Sequence, residues 1–151
     1  MITSAAFPAL GGLRVIDAMH PGIVCCSPET PLRTVARLMT TYRVHAVLVT
    51  AHGDVALPYP GTWGIVSDRD LLRAAASGDP DVQTAGIAAV GPVHTVASSD
   101  ELAGAAHVMD EANATHLVVL EPHSGRPIGV LSTLDIARAL AGSPEHRAAH
   151  T

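Results

Sequence analysis

The feature that most constrains this chain is an internal repeat. Residues 64–70 read Gly64-Ile65-Val66-Ser67-Asp68-Arg69-Asp70, and residues 129–135 read Gly129-Val130-Leu131-Ser132-Thr133-Leu134-Asp135. Each is a glycine, two aliphatic residues, a serine, two variable residues and an aspartate. Each has an arginine three positions after the aspartate, at Arg73 and Arg138. A period of this size marks a supersecondary unit that cannot bury its apolar face alone. Two copies in one short chain predict a pseudo-symmetric pair with a ligand cleft between them.

The match extends upstream. Leu32, Ala36 and Met39 correspond to Leu102, Ala106 and Met109 at a constant offset of 70, which falls to 65 at the Gly/Ser/Asp motif. The first half therefore carries five extra residues, placed in the Gly- and Pro-rich segment Ala51–Thr62, which reads as a loop. Insertions there cost little closure entropy, so the core pattern survives them.

Each half reads as strand, helix, strand, strand, helix. Ile23–Cys26 and Val93–Val96 are short apolar strands. Thr30 before Pro31 predicts an N-cap followed by proline at the first helical position. In the second half Asp100 and Glu101 stand where a helix dipole favours them. Leu32, Val35, Ala36, Leu38 and Met39 recur at helical spacing. Ala46–Thr50 and His116–Leu120 are unbroken apolar runs, so these strands are expected to be buried on both faces. Trp63–Ser67 and Ile128–Ser132 are the third strands, and Asp68–Ala76 and Thr133–Ala141 the closing helices, ended by Gly78 and Gly142.

Composition narrows the function classes. With 151 residues the chain is one domain or two small intimate ones, and 48% hydrophobic residues suffice for a core. Aromatics are only 3%, so that core is aliphatic. No apolar run reaches the roughly 18 residues of a membrane span, and Met1–Gly12 lacks the pattern of a secretory signal. A net charge of −5 argues against nucleic-acid duplex binding. Lysine is absent, so every strong cation is an arginine, whose planar fork suits phosphate. Cys25 and Cys26 are adjacent on a strand and should point to opposite faces, as reduced thiols in a cytoplasmic protein.

The paired motifs resemble a tandem of cystathionine-β-synthase (CBS) domains, a Bateman module. The segments Val15-Ile16-Asp17-Ala18-Met19, Val24 to Leu32 and Tyr42 to Val49 are similar to the same family. The resemblance covers about residues 13–142, which gives repeats over 13–76 and 84–142 with tails at 1–12 and 143–151. It implies an α/β fold of two pseudo-symmetric β-α-β-β-α repeats packed through their sheets, free-standing rather than fused to an effector. It further implies a non-enzymatic regulatory module that binds AMP, ADP, ATP, S-adenosylmethionine or NAD, requires no cofactor, forms a homodimer and signals to an effector protein.

An adenosine ligand makes three chemical demands. Its ribose diol offers two hydroxyl donors that one carboxylate can accept. Its phosphate seeks free N–H groups at a helix start, and its adenine fits between aliphatic side chains. By the resemblance, one cleft combines Ser132 and Asp135 with Val24, Cys25, Val44, His45 and Ala46. The other combines Ser67 and Asp70 with His94, Thr95, Ala114, Thr115 and His116. Phosphate would meet Arg69, Arg43, His45 or His116. Arg69 stands where the second repeat has Leu134, Arg43 where it has Asn113, and Cys25 where it has Thr95, so the clefts should bind unequally.

Plainer roles compete. The aspartates can be helix-start residues, the serines N-caps, and Arg73 and Arg138 intrahelical ion-pair partners. The chain's nine histidines show no His-x-x-x-His zinc spacing within the repeats. No nucleophile–base constellation or phosphate loop points to catalysis. A dimeric scaffold with vestigial clefts is the alternative to a sensor. In a sensor, the linker Ser77–Thr84 and the dimer surface are the expected moving elements.

Overall fold

The computed structural model describes residues 10–51, 63–89 and 92–142. The inserted loop beyond Ala51 and most of both tails lie outside the described residues. In chain order the elements are α1 (Val15–Ala18), β1 (His20–Pro21), β2 (Cys25–Cys26), α2 (Leu32–Tyr42), β3 (Ala46–Val49), β4 (Gly64–Ser67), α3 (Asp68–Ser77), α4 (Ala85–Ala88), β5 (Thr95–Ala97), α5 (Leu102–Ala112), β6 (His116–Leu120), β7 (Pro127–Ser132) and α6 (Thr133–Ala141).

These elements form two compact units. One runs Ile23–Val93; the other joins the described residues up to Gly22 to those from His94 onward. The first unit holds a three-stranded sheet, β2-β3-β4, and the second a four-stranded sheet, β1-β7-β6-β5. In both, the middle strand of the repeat pairs parallel on one side and antiparallel on the other: β3 between β2 and β4, β6 between β5 and β7. That position explains the unbroken apolar runs. All four residues of β3 are buried, as are the central three of β6. The first strands are shorter or shifted relative to the apolar runs, because only Cys25 and Cys26, or Thr95 to Ala97, find ladder partners.

Each unit borrows the segment that leads into the other repeat. In the second unit, Leu102 N–H donates to Leu13 C=O at 2.9 Å and Val15 N–H to Asp100 C=O at 2.9 Å. In the first, Leu32 N–H donates to Gln83 C=O at 3.0 Å and Ala85 N–H to Thr30 C=O at 2.8 Å. The offset of 70 is therefore kept in three dimensions, donor by donor.

This borrowing corrects one local expectation. Pro31, not Thr30, is the residue before α2, and no side chain caps that helix. The first N–H groups of a helix need acceptors, and carbonyls of Pro80 and Gln83 supply them at 3.1 and 3.0 Å. Thr30 Oγ1 lies instead 3.2 Å from Ser27 Oγ. The linker is tied further by the paired Arg33 guanidinium and Asp81 carboxylate. That contact holds the Asp81 carboxyl below the usual carboxylate range.

The glycines that open the two motifs have a packing role. A side chain at Gly129 would stand 2.5 Å from the His20 carbonyl oxygen, and one at Gly64 would stand 2.8 Å from Ala89 Cβ. Both let the borrowed segment cross the third strand closely. Elsewhere, Arg43 (φ 55°) and Asn113 (φ 51°) end α2 and α5 in the left-handed region. Gly142 ends α6 likewise at φ 66°, whereas Gly78 is extended.

The cores are aliphatic, as composition requires. One is built on Leu32, Val35, Met39, Val47, Val49 and Val66, the other on Val15, Leu102, Met109, Leu117, Val119 and Leu131. Both cysteines are free thiols. Burial is the main cause that pushes the Cys26 thiol up from its ordinary value, against a lowering contact with Thr30.

Candidate functional site: two carboxylates at two helix starts

Ser67 ends β4 and caps α3. Its Oγ accepts from Asp70 N–H at 3.2 Å and donates to Asp70 Oδ2 at 2.9 Å, and Ser67 N–H donates to the same oxygen at 2.8 Å. Ser132 and Asp135 repeat this at the start of α6 with distances of 3.2, 3.0 and 2.8 Å. These are capping boxes closed by an aspartate. The serine spacing of three to the aspartate is thus accounted for by helix initiation, with the negative charge at the favourable end of the dipole. Arg73 and Arg138 then donate Nη1 to Oδ1 of their aspartates, each at 3.3 Å. They are the intrahelical partners expected from the spacing.

The two carboxylates differ beyond this shared frame. His20 Nδ1 lies 3.0 Å from Asp135 Oδ1, and the Asp135 side chain is 1% exposed. The Asp70 side chain is 11% exposed, and among the described residues Arg73 is its one ion-pair partner. Asp70 also lines a pocket of about 260 Å³ with Leu32, Arg73, Ala74, Gln83 and Ile87. The buried Gln83 Oε1 has no hydrogen-bond partner among the described residues. Asp135 lines neither described pocket. The second unit's pocket, about 290 Å³, lies between the end of α5 and the start of α6, against Met109, Asn113, Ala114, Thr115, Thr133 and Ile136.

Within the first unit the fold brings Ser67, Arg69 and Asp70 beside Val44, His45 and Ala46. Ala46 is paired with Ser67 across the sheet, and Asp68 N–H donates to His45 C=O at 3.0 Å. His45 Nδ1 lies 3.1 Å from Asp68 Oδ2 on the surface. Val24 and Cys25 stand on the β2 side, where Val24 C=O accepts from Leu48 N–H. The second unit does the same with Ser132, Asp135, Ala114, Thr115 and His116. His116 pairs with Ser132, and Thr133 N–H donates to Thr115 C=O at 3.0 Å. His94 and Thr95 lie along β5, where His94 C=O accepts from Val118 N–H. Each unit thus sets its own serine beside its own turn. The mixed residue sets expected for the clefts draw on both units.

Among the described residues, neither Arg43 nor Arg69 forms an ion pair, and both are exposed. Arg43 holds the left-handed conformation at a turn where the equivalent residue is Asn113. A non-glycine residue there stores strain, a feature often found at functional positions. No group of three metal-ligating side chains stands together among the described residues, and none of their helices is long and apolar enough to cross a membrane. His20 is the contact that sequence reasoning missed, because nothing in the spacing ties residue 20 to residue 135.

Similar solved structures share this fold. The CBS domain protein PAE2072 from Pyrobaculum aerophilum, complexed with AMP, is 30% identical over 87% of this chain and all of its own, with a TM-score of 0.66. Hypoxic Response Protein I, with two coordinated zinc ions, is 24% identical, covering 83% of this chain and 98% of its own at a TM-score of 0.61. The CBS domain of the bacterial CNNM/CorC family Mg2+ transporter, in complex with ATP, is 17% identical, covering 93% and 96% at a TM-score of 0.70. A search of curated proteins finds no match. The CBS domain family profile matches twice, over residues 15–77 and 87–142. The chain therefore belongs to the CBS domain family and carries two repeats of it.

Proposed function

We propose that this protein is a regulatory module that binds an adenosine-containing ligand through the Asp70 carboxylate and passes the bound state to a partner protein. The observation that carries the reading is the environment of Asp70. It is a carboxylate acceptor at a helix start, slightly exposed, and lines a pocket with a Gln83 oxygen that has no hydrogen-bond partner among the described residues. The AMP complex of a 30% identical protein supports the ligand class. In this reading the repeats are 13–76 and 84–142. Ser67 and Asp70 receive the ribose, His94, Thr95, Ala114, Thr115 and His116 complete the cleft, and phosphate is met by Arg69, Arg43, His45 or His116. The second cleft would use Ser132 and Asp135 with Val24, Cys25, Val44, His45 and Ala46. AMP, ADP, ATP, S-adenosylmethionine and NAD are the candidate ligands, in a cytoplasmic homodimer without catalysis. Ligand binding shifts the module only by its differential affinity for two states.

A second reading, a dimeric scaffold with vestigial clefts, is favoured by the internal bonding of Asp135. Calorimetric titration with the five ligands separates the two. Saturable binding of one of them, lost in Asp70→Ala, is the expected outcome. A folded dimer that binds none of them would overturn the sensor and leave the scaffold.

A further inference from the structure

We propose that His20 closes the Asp135 carboxylate and so sets the number of adenosine ligands the chain takes at one, at Asp70. The inference rests on the sensor reading above. It starts from acceptor capacity: an ionised carboxylate has about four lone-pair sites. Asp135 fills all four from its own unit. Oδ2 accepts from Ser132 N–H and Ser132 Oγ, Oδ1 accepts from Arg138 Nη1, and the fourth partner is His20 Nδ1, 3.0 Å from Oδ1. Among the described residues Asp70 takes three donors: Ser67 N–H, Ser67 Oγ and Arg73 Nη1.

A ribose diol brings two hydroxyl donors. At Asp135 they must replace His20 and Arg138, so the exchange gains no hydrogen bond, and exchange without gain yields little net affinity. Among the described residues one site is open at Asp70, and the one side chain there to displace is Arg73, which is 65% exposed.

His20 is also held in place by backbone. It pairs with Val130 in the β1–β7 ladder, and the absence of a side chain at Gly129 admits its carbonyl. That pairing fixes the His20 backbone beside Asp135, although the His20 side chain is itself 50% exposed. Seventy residues later the sequence has valine, Val90, a residue type without a side-chain donor.

The test is calorimetric titration of the full chain with AMP. Expected for the wild type is one equivalent per chain, lost in Asp70→Ala and kept in Asp135→Asn. His20→Ala and His20→Val should each raise the stoichiometry to two, and adding Asp135→Asn should remove the extra site. His20→Asn, which restores a side-chain donor, should return it to one. Two equivalents in the wild type, removed one at a time by the two aspartate variants, would overturn the role of His20 while leaving the sensor reading intact. So would one equivalent in folded His20→Ala and His20→Val. No AMP binding in either the wild type or the His20 variants would overturn the inference and AMP sensing together.

Discussion

Asp70 and Asp135 stand at the same step of the same strand-to-helix turn, bonded to equivalent serines and arginines at nearly equal distances. One is 11% exposed and lines a pocket; the other is 1% exposed and carries a histidine. The motif itself therefore does not distinguish a binding carboxylate from a structural one. The distinction comes from the segment that crosses the turn, which in each unit belongs to the stretch leading into the other repeat. A repeat protein can keep its scaffold symmetric and vary function through these borrowed segments.

The largest effect expected from this contrast is on stability. Asp135→Ala removes the acceptor of four donors in a buried setting. It should destabilise by about 2–3 kcal/mol, combining a lost cap with the Ser132 donors and the half-exposed His20 and Arg138 side chains left without their acceptor. Asp70→Ala loses the same capping box in a more open setting, and its freed Arg73 can hydrate. About 1–2 kcal/mol is expected there. Urea denaturation of the two variants measures the difference. Equal losses would show that the His20 contact adds nothing to the second unit.

A middle-sized effect should come from the motif glycines. In Gly129→Ala the new methyl meets a backbone carbonyl, that of His20, which can move only with β1. In Gly64→Ala it meets the Ala89 side chain. Overpacking of this kind costs about 1–3 kcal/mol, and Gly129→Ala should lie at the upper end. It should also loosen His20 from Asp135, which an AMP titration of the same variant would register as a second site. A Gly129→Ala protein as stable as wild type would remove the close crossing from the argument.

These contrasts also show what was legible in the sequence. The offset of 70 showed that the chain carries two repeats, because core periodicity and turn chemistry recur with it: Leu32 with Leu102, Met39 with Met109. The serine–aspartate spacing was legible as a cap, since capping is local. What stayed hidden was long-range. Pro31 replaces Thr30 at the helix start because carbonyls about 50 residues away serve as caps, a pairing no local pattern records. His20 reaches Asp135 through a two-residue strand on the edge of a sheet, too short to give a period. The glycines of the motifs were visible, but their reason was not: the atom Gly129 makes room for lies more than 100 residues earlier.

The smallest effect concerns the turns after α2 and α5. Arg43 and Asn113 both sit at φ above 50°, a conformation glycine adopts freely and asparagine tolerates better than arginine. Arg43→Gly should therefore stabilise the first unit by about 0.5–1 kcal/mol, while Asn113→Gly should change the second by a few tenths at most. Thermal unfolding resolves the first shift. The same variant removes an exposed guanidinium that the sensor reading places near phosphate. If Arg43 contacts the ligand, Arg43→Gly should become more stable while binding ATP more weakly relative to adenosine. A gain in stability with an unchanged preference between ATP and adenosine would assign Arg43 to the turn alone and leave Arg69 as the phosphate contact of the Asp70 site.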